Sequence, residues 1–92
     1  MAVAVLMNFP GGGVDAYDRV LAKMGLTDGR TPEGAQYHVA GEVDGGFRVV
    51  DVWDSAEQFQ RFADEQIGPL TAEEGFPPPD VSMWEVHNTL TR

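Results

Sequence analysis

The residues best suited to acid–base chemistry are a histidine and an aspartate on either side of a predicted hairpin turn. The chain has 2 histidines and no cysteine, so imidazole and carboxylate groups are its main candidates for proton transfer. A two-residue turn at Asp44-Gly45 places His38 directly opposite Asp51, with Cβ atoms about 4.5–5.5 Å apart. In the same register, Gln36 lies opposite Trp53.

The His38–Asp51 pair has two interpretations. A carboxylate bonded to an imidazole fixes its tautomer and stabilises the imidazolium, as a general base that removes a phenolic or α-carbonyl proton requires. Asp51 would then orient His38 as the catalytic base. Alternatively, the pair is a buried structural contact that holds the hairpin in register. A turn shifted to Gly45-Gly46 would instead place His38 opposite Trp53.

Aromatic and polar side chains are expected to gather around this pair. A cavity lined by them suits a flat aromatic ligand, although aromatic residues at such spacings are also typical of a core. The residues that we predict to bind a substrate are Trp53, Tyr17, Gln36, Asn8, Phe59, Phe62 and His87.

Neither a cofactor nor a metal is predicted. His87 lies with Glu85 in the last predicted strand, but another strand should separate it from His38, so the ligands of a metal do not converge. The three glycines at 11–13 fit neither the dinucleotide-binding nor the Walker spacing. They are interpreted as a turn, and His87 as a residue at the pocket rim or in a dimer contact.

Composition favours one small acidic domain that spans residues 1–92. Against 15 acidic side chains there are 6 basic ones, and the net charge of -9 repels nucleic acid and anionic lipid. No targeting segment is recognised and no apolar run is long enough to cross a membrane. We therefore expect a cytoplasmic protein that binds neither nucleic acid nor membrane.

Hydrophobic periodicity predicts four strands and two helices. The strands are expected at residues 2–8 (β1), 35–43 (β2), 47–53 (β3) and 81–87 (β4). The helices are expected at 14–24 (α1) and 55–67 (α2), and a short helical piece is expected at 70–74. Ser55 should cap α2 with Gln58, and Gly68-Pro69 should end it.

The order β1-α1-β2-β3-α2-β4 predicts an α+β, ferredoxin-like fold with a four-stranded antiparallel sheet. β1 and β3 should be central, since they carry apolar residues on both faces. Two helices cover only one face of such a sheet. The other apolar face is most simply covered by a second copy, so the sequence predicts a homodimer.

A resemblance to a known superfamily adds to this prediction. The segment from β3 into α2 reads FRVVDVWDSAEQF over residues 47–59, and with the element order it resembles the dimeric α/β-barrel superfamily, including antibiotic-biosynthesis-monooxygenase-type domains. The resemblance implies two sheets packed face to face as a barrel, with a pocket between sheet and helices in each subunit. Members of the superfamily include cofactor-free oxygenases, lactone isomerases, haem-degrading enzymes and haem-binding peroxidases.

Three functions are therefore considered. The first is a homodimeric pocket protein that binds a small aromatic or apolar metabolite between sheet and helices. The second is a cofactor-independent monooxygenase or a proton-transfer enzyme, a cyclase or isomerase, that acts on a polyketide-like phenol with His38 as base. The third is haem binding or degradation, which requires a histidine directed into the cavity. Fold alone does not choose between them.

Overall fold

The computed structural model describes residues 1–92 and contains the predicted elements in the predicted order. The strands are β1 (Val3–Pro10), β2 (Ala35–Val43), β3 (Gly46–Trp53) and β4 (Asp80–Glu85). The helices are α1 (Val14–Met24), α2 (Ala56–Phe62) and α3 (Gly68–Glu73), with a π-helical turn at Ala63–Ile67 between the last two. The α+β, ferredoxin-like prediction is confirmed.

The four strands form one antiparallel sheet in the order β2-β3-β1-β4, so the prediction that β1 and β3 are central is confirmed. Side chains alternate between the two faces of a strand, and the inward set of each central strand faces the helices. The core comprises Val3, Val5, Met7, Phe47, Val49, Trp53, Phe59 and Ile67.

The β2-β3 hairpin has the predicted register next to its turn. Val43 pairs with Gly46, and His38 pairs with Asp51. Further from the turn the register shifts at a β-bulge between Ala35 and Tyr37, so Ala35 rather than Gln36 lies opposite Trp53. The prediction of a Gln36–Trp53 pair is therefore wrong, because one extra residue in β2 displaces every later pair.

Helix α1 ends as the sequence predicts. Gly25 adopts φ 76°, and its N–H bonds to Ala22 O while the Leu26 N–H bonds to Leu21 O, which is a Schellman motif. The buried residues of the helix are Ala16 and Val20. Tyr17 and Met24 pack beside them against the core, so α1 directs a tyrosine toward the sheet.

The predicted helix break at Gly68-Pro69 is wrong. The Ser55 hydroxyl accepts from the Gln58 N–H at 3.2 Å and starts α2 as expected. The chain then continues through a π-helical turn into α3, with the Gly68 N–H bonded to Ala63 O. Pro69 lacks an N–H and would clash with a carbonyl four residues back, and the wider turn accommodates it.

Replacing Gly46 with alanine is expected to destabilise the protein strongly. A Cβ at Gly46 would lie 2.3 Å from the Phe9 carbonyl oxygen and 3.1 Å from Pro10 Cα, both backbone atoms of β1 that cannot rotate away. We expect a loss near the upper end of overpacking costs, about 3 kcal/mol, and a fall in Tm of roughly 10 °C or more. Gly41→Ala is the matched control because nothing lies within 4 Å of its Cβ. Equal thermal unfolding of the two variants would contradict this reading of the hairpin.

The face of the sheet away from the helices carries exposed apolar side chains, and we call it the open face. Cross-strand pairing places Leu6 with Val50 and Val50 with Val39 on this face. Val39 is 67% exposed and Trp84, which pairs with Ala4, is 52% exposed. The apolar members of the open face are Ala4, Leu6, Tyr37, Val39, Val43, Val50, Val52 and Trp84. Separately, none of the helices has the length and apolar character to span a membrane.

Candidate functional site

Asp51 is a buried carboxyl group with both oxygens hydrogen bonded. It is 4% exposed in the middle of β3. Its Oδ1 lies 2.6 Å from His38 Nδ1, and its Oδ2 accepts from Trp53 Nε1 at 3.1 Å. A buried carboxylate accepts hydrogen bonds only, so the proton of this contact belongs to Nδ1. The predicted His38–Asp51 contact is thus present, and it fixes the imidazole tautomer.

Tyr17 extends this pair to a third residue. Its hydroxyl lies 2.5 Å from His38 Nε2, and the two rings are parallel within 7° at a centroid distance of 5.8 Å. With His38 as a neutral ring protonated on Nδ1, Nε2 accepts and the phenol donates. Burial, followed by the negative charges of Asp51 and Asp18, raises the pKa of Tyr17, so the hydroxyl keeps its proton near neutral pH.

These three residues border a cavity of about 360 Å³ between the helices and the inner face of the sheet. Its volume lies near the lower end of the range for small-molecule sites, about 300–1,000 Å³. Most of the wall is apolar, with Met7, Val49 and Phe47 from the sheet and Val20 and Leu21 from α1. Of the predicted site residues, the structure brings Tyr17, His38, Asp51 and Phe62 together at this cavity.

The other predicted binding residues lie away from the cavity. Trp53 and Phe59 are 1% and 2% exposed and pack edge to face in the core. From there the Trp53 indole N–H donates to Asp51 Oδ2. Contrary to expectation, neither residue borders the cavity. Neither side chain can contact a ligand without a change in packing.

The two predicted amide residues are also displaced. Asn8 has the open-face parity of β1, and its Oδ1 accepts from Arg48 Nε at 2.7 Å. Gln36 occupies the bulge and donates to Asp54 Oδ1 at 2.8 Å. Neither residue borders the cavity, contrary to expectation. Side-chain alternation along β1 turns Asn8 away from the cavity, and the bulge in β2 does the same for Gln36.

The second histidine is remote from the first. His87 follows β4, whereas His38 lies on β2, at the opposite edge of the sheet. His87 lines a shallow depression with Trp84, Val86 and Leu90 beside the carboxy-terminal segment. Haem ligation by His38 would require its Nε2 to leave the Tyr17 hydroxyl.

Sequence reasoning missed several residues of the cavity. Thr71 from α3 is buried at 8% exposure, and its hydroxyl donates to Ile67 O at 2.7 Å. Arg30 and Thr31 border the cavity from the loop between α1 and β2. Thr71 was not predicted at the cavity because the expected break at Gly68-Pro69 separated it from α2. Arg30 and Thr31 were not predicted because hydrophobic periodicity gives no information about residues in a loop.

Three ion pairs join the outer surfaces of the helices that border the cavity, the longest of them between Lys23 and Glu74 at 3.7 Å. Arg19 on α1 contacts Glu74 beyond α3 at 2.7 Å, and Lys23 contacts Glu73 at 3.2 Å. The Arg19 guanidinium lowers the pKa of Glu74 below its usual value, chiefly through their hydrogen bond. These contacts hold α1, which carries Tyr17, beside the segment that carries Thr71.

The fold is similar to that of solved antibiotic-biosynthesis-monooxygenase-like proteins. SnoaB from Streptomyces nogalater, a cofactor-independent oxygenase solved as a single-residue mutant, is 22% identical with a TM-score of 0.63, and the match covers 99% of this chain and 98% of SnoaB. Rv0793 from Mycobacterium tuberculosis is 19% identical with a TM-score of 0.67, over 99% of this chain and 100% of that one. No protein-family model matches the sequence, and no curated protein gives a significant match. At these identities the likeness establishes the fold alone.

Proposed function

We propose that the cavity binds a small, flat, mostly apolar metabolite with an acidic hydroxyl group, and that His38 removes the hydroxyl proton through Tyr17. The observation that carries this proposal is the continuous hydrogen-bond chain from Asp51 through His38 to Tyr17 at the cavity wall. A structural pair needs only Asp51 and His38. The third residue brings the basic nitrogen into contact with a group that a ligand can reach.

The bond directions define the proton transfer. The ligand hydroxyl donates to the Tyr17 oxygen, whose own proton already points to His38 Nε2. As the Tyr17 proton moves to Nε2, the ligand proton moves to Tyr17, and the ligand becomes a phenolate. Buried Asp51 stabilises the resulting imidazolium. The apolar wall excludes water, which strengthens these electrostatic interactions.

A phenolate in this cavity leads to cofactor-independent oxygenation. With 1-naphthol as the model compound, dioxygen attacks carbon 4 of the naphtholate, one oxygen atom stays on the ring and the other leaves as water. One naphthol and one dioxygen give one 1,4-naphthoquinone and one water, so the organic compound supplies all the electrons. SnoaB, described as a cofactor-independent oxygenase, has the same fold. Isomerisation or cyclisation would use the same proton removal and then return the proton.

Binding without turnover is the second candidate. The observation that favours it is that His38 Nε2 is already occupied by the Tyr17 hydroxyl, so the chain is internally satisfied without a ligand. Both candidates use one cavity, and one assay separates them. We expect 1-naphthol to bind by calorimetric titration and to be consumed with dioxygen in equal amounts. Binding without oxygen uptake would leave the binding role, and absence of binding would reject both.

Replacing Tyr17 with phenylalanine should separate proton transfer from binding. The variant keeps the ring that packs on Phe47 and removes only the hydroxyl between the ligand and His38. We expect oxygen uptake at saturating 1-naphthol to fall about 100-fold, whereas binding weakens only about 10-fold, the value of the one lost hydrogen bond. Uptake and quinone formation are followed with an oxygen electrode and by absorbance. Undiminished uptake would show that His38 acts without Tyr17 or not at all.

We also propose that the protein is a homodimer in which the open faces of two copies pack together. What supports this is the set of exposed apolar residues on a face that no helix covers, including Val39 and Trp84. Contiguous apolar surface of this kind is unusual on a monomer. A twofold arrangement lets one self-complementary surface cover both copies.

A further inference from the structure

All three side-chain hydroxyls that border the cavity direct their protons away from it. Tyr17 donates to His38 Nε2, Thr71 donates to Ile67 O at 2.7 Å, and Thr31 donates to Ala35 O at 2.9 Å. A hydroxyl whose proton is committed in this way still has oxygen lone pairs. Each of these groups can therefore accept a hydrogen bond from a ligand and cannot easily give one.

The other polar side chains that border the cavity offer a ligand no free hydrogen-bond donor in the cavity interior. Both oxygens of Asp51 and both ring nitrogens of His38 are already engaged. Arg30 is a donor, but its side chain is 74% exposed and its Nε is paired with Asp28 Oδ2 at 2.6 Å. The one side-chain donor, Arg30, therefore lies at the solvent-exposed side of the cavity. The three hydroxyl groups offer a ligand only acceptor oxygens.

We infer that the cavity selects ligands by their hydrogen-bond donors, and that Thr71 is a specificity-determining residue that receives a second ligand hydroxyl while Tyr17 receives the first. The inference rests on the proposed function and narrows its ligand to a neutral aromatic compound with two hydroxyl groups. If a quinone, an ether or a carboxylate replaces either hydroxyl, an acceptor oxygen of the ligand faces the acceptor oxygen of Tyr17 or Thr71, and no hydrogen bond forms. An unpaired buried acceptor loses its water without compensation, which is why such mismatches discriminate strongly.

This selectivity also bears on turnover. Oxygenation of a phenol to a quinone replaces the donor hydroxyl with a carbonyl acceptor. The product then lacks the donor that Tyr17 can receive, so it is held less tightly than the substrate. The same hydroxyl directions that select the substrate therefore favour release of the product.

The test compares matched ligands by equilibrium titration under anaerobic conditions. The ligands are 1,4- and 1,5-dihydroxynaphthalene, the dimethyl ether of each, and 1,4-naphthoquinone. We expect at least one diol to bind 10-fold or more tightly than its ether, and the 1,4-diol to bind more tightly than the quinone, because each added hydrogen bond is worth about a factor of ten. Ethers and quinone that bind as tightly as the diols would overturn the inference.

Thr71→Val is the decisive variant because valine is nearly isosteric and removes the acceptor. We expect it to reduce the diol-to-ether ratio about 10-fold for the preferred diol, while the affinity for 1-naphthol, which has one hydroxyl, changes little. Thr71→Ser restores the hydroxyl and should restore the ratio. A merely structural role for Thr71 would weaken all ligands together, and an unchanged ratio in the valine variant would remove Thr71 from the assignment.

Failure of this inference is distinguishable from failure of the proposed function. Turnover of 1-naphthol without discrimination between diols and ethers would retain the proton-transfer proposal and reject donor selection. Discrimination without any oxygen uptake would retain donor selection and reject oxygenation. No binding by any compound of the series would reject both.

Discussion

Replacing His38 with alanine is expected to reduce the rate of 1-naphthol oxygenation by about 10²- to 10⁴-fold, the usual contribution of a positioned general base. The variant removes the only group that both contacts the Tyr17 hydroxyl and can hold its proton. It also removes one of the two hydrogen bonds to buried Asp51. We therefore expect thermal unfolding to occur several degrees lower, in line with a loss of about 1–3 kcal/mol for a poorly satisfied buried group.

A second variant keeps the prediction testable if alanine weakens the fold. His38→Gln supplies an amide that can donate to Asp51 in place of Nδ1–H but cannot take up a proton. We expect near-normal stability with the same loss of rate. The matched control is His87→Ala, since His87 lies beyond β4 and away from the cavity. Full oxygenation by the glutamine variant would show that the pair is structural.

The structure confirms the predicted pairing of His38 with Asp51, which depends on the hairpin turn. His38 and Asp51 face each other because side-chain alternation carries the register outward from Asp44-Gly45 without interruption over those pairs. The burial of Asp51 followed from its place in a central strand. Short-range geometry and one good turn signal were therefore enough to bring two residues together that are 13 positions apart.

The parts of the site that depend on longer-range packing could not be predicted in the same way. The bulge at Gln36 has no marker in the sequence, and it places Ala35 instead of Gln36 opposite Trp53. The π-helical turn converts a predicted helix end into a continuous segment, which delivers Thr71 to the cavity. The contact between Tyr17 and His38 depends on how α1 packs across the sheet, and the spacing of apolar residues fixes only the face that it buries.

The resemblance to the dimeric α/β-barrel superfamily predicted the architecture and a pocket between sheet and helices. It did not predict which residues the pocket would contain. Trp53 illustrates the difference. It lies in the segment that carries the resemblance, but its indole N–H donates to Asp51 from within the core and its side chain does not border the cavity. The fold thus determines where a pocket lies, and the register and helix packing of this chain determine its chemistry.

The protein is expected to have a solution mass of twice 10.0 kDa. Folding leaves Val39 at 67% and Trp84 at 52% exposure on a sheet face that its own helices cannot reach. Light scattering on freshly purified protein measures the mass directly. In the proposed dimer both copies bury the same surface, so a single substitution at the centre of that face acts twice.

Val50→Lys is the substitution that tests which surface is buried. Val50 lies on central strand β3, 38% exposed, and a dimer would bury two unpaired ammonium groups at its centre. We expect this variant to have a mass of 10.0 kDa. Val14→Lys is the control, since Val14 is 44% exposed on α1, on the opposite side of the sheet, and should leave the dimer intact. A dimeric Val50→Lys protein would place the interface elsewhere, and a monomeric native protein would mean that the open face is covered by a different chain.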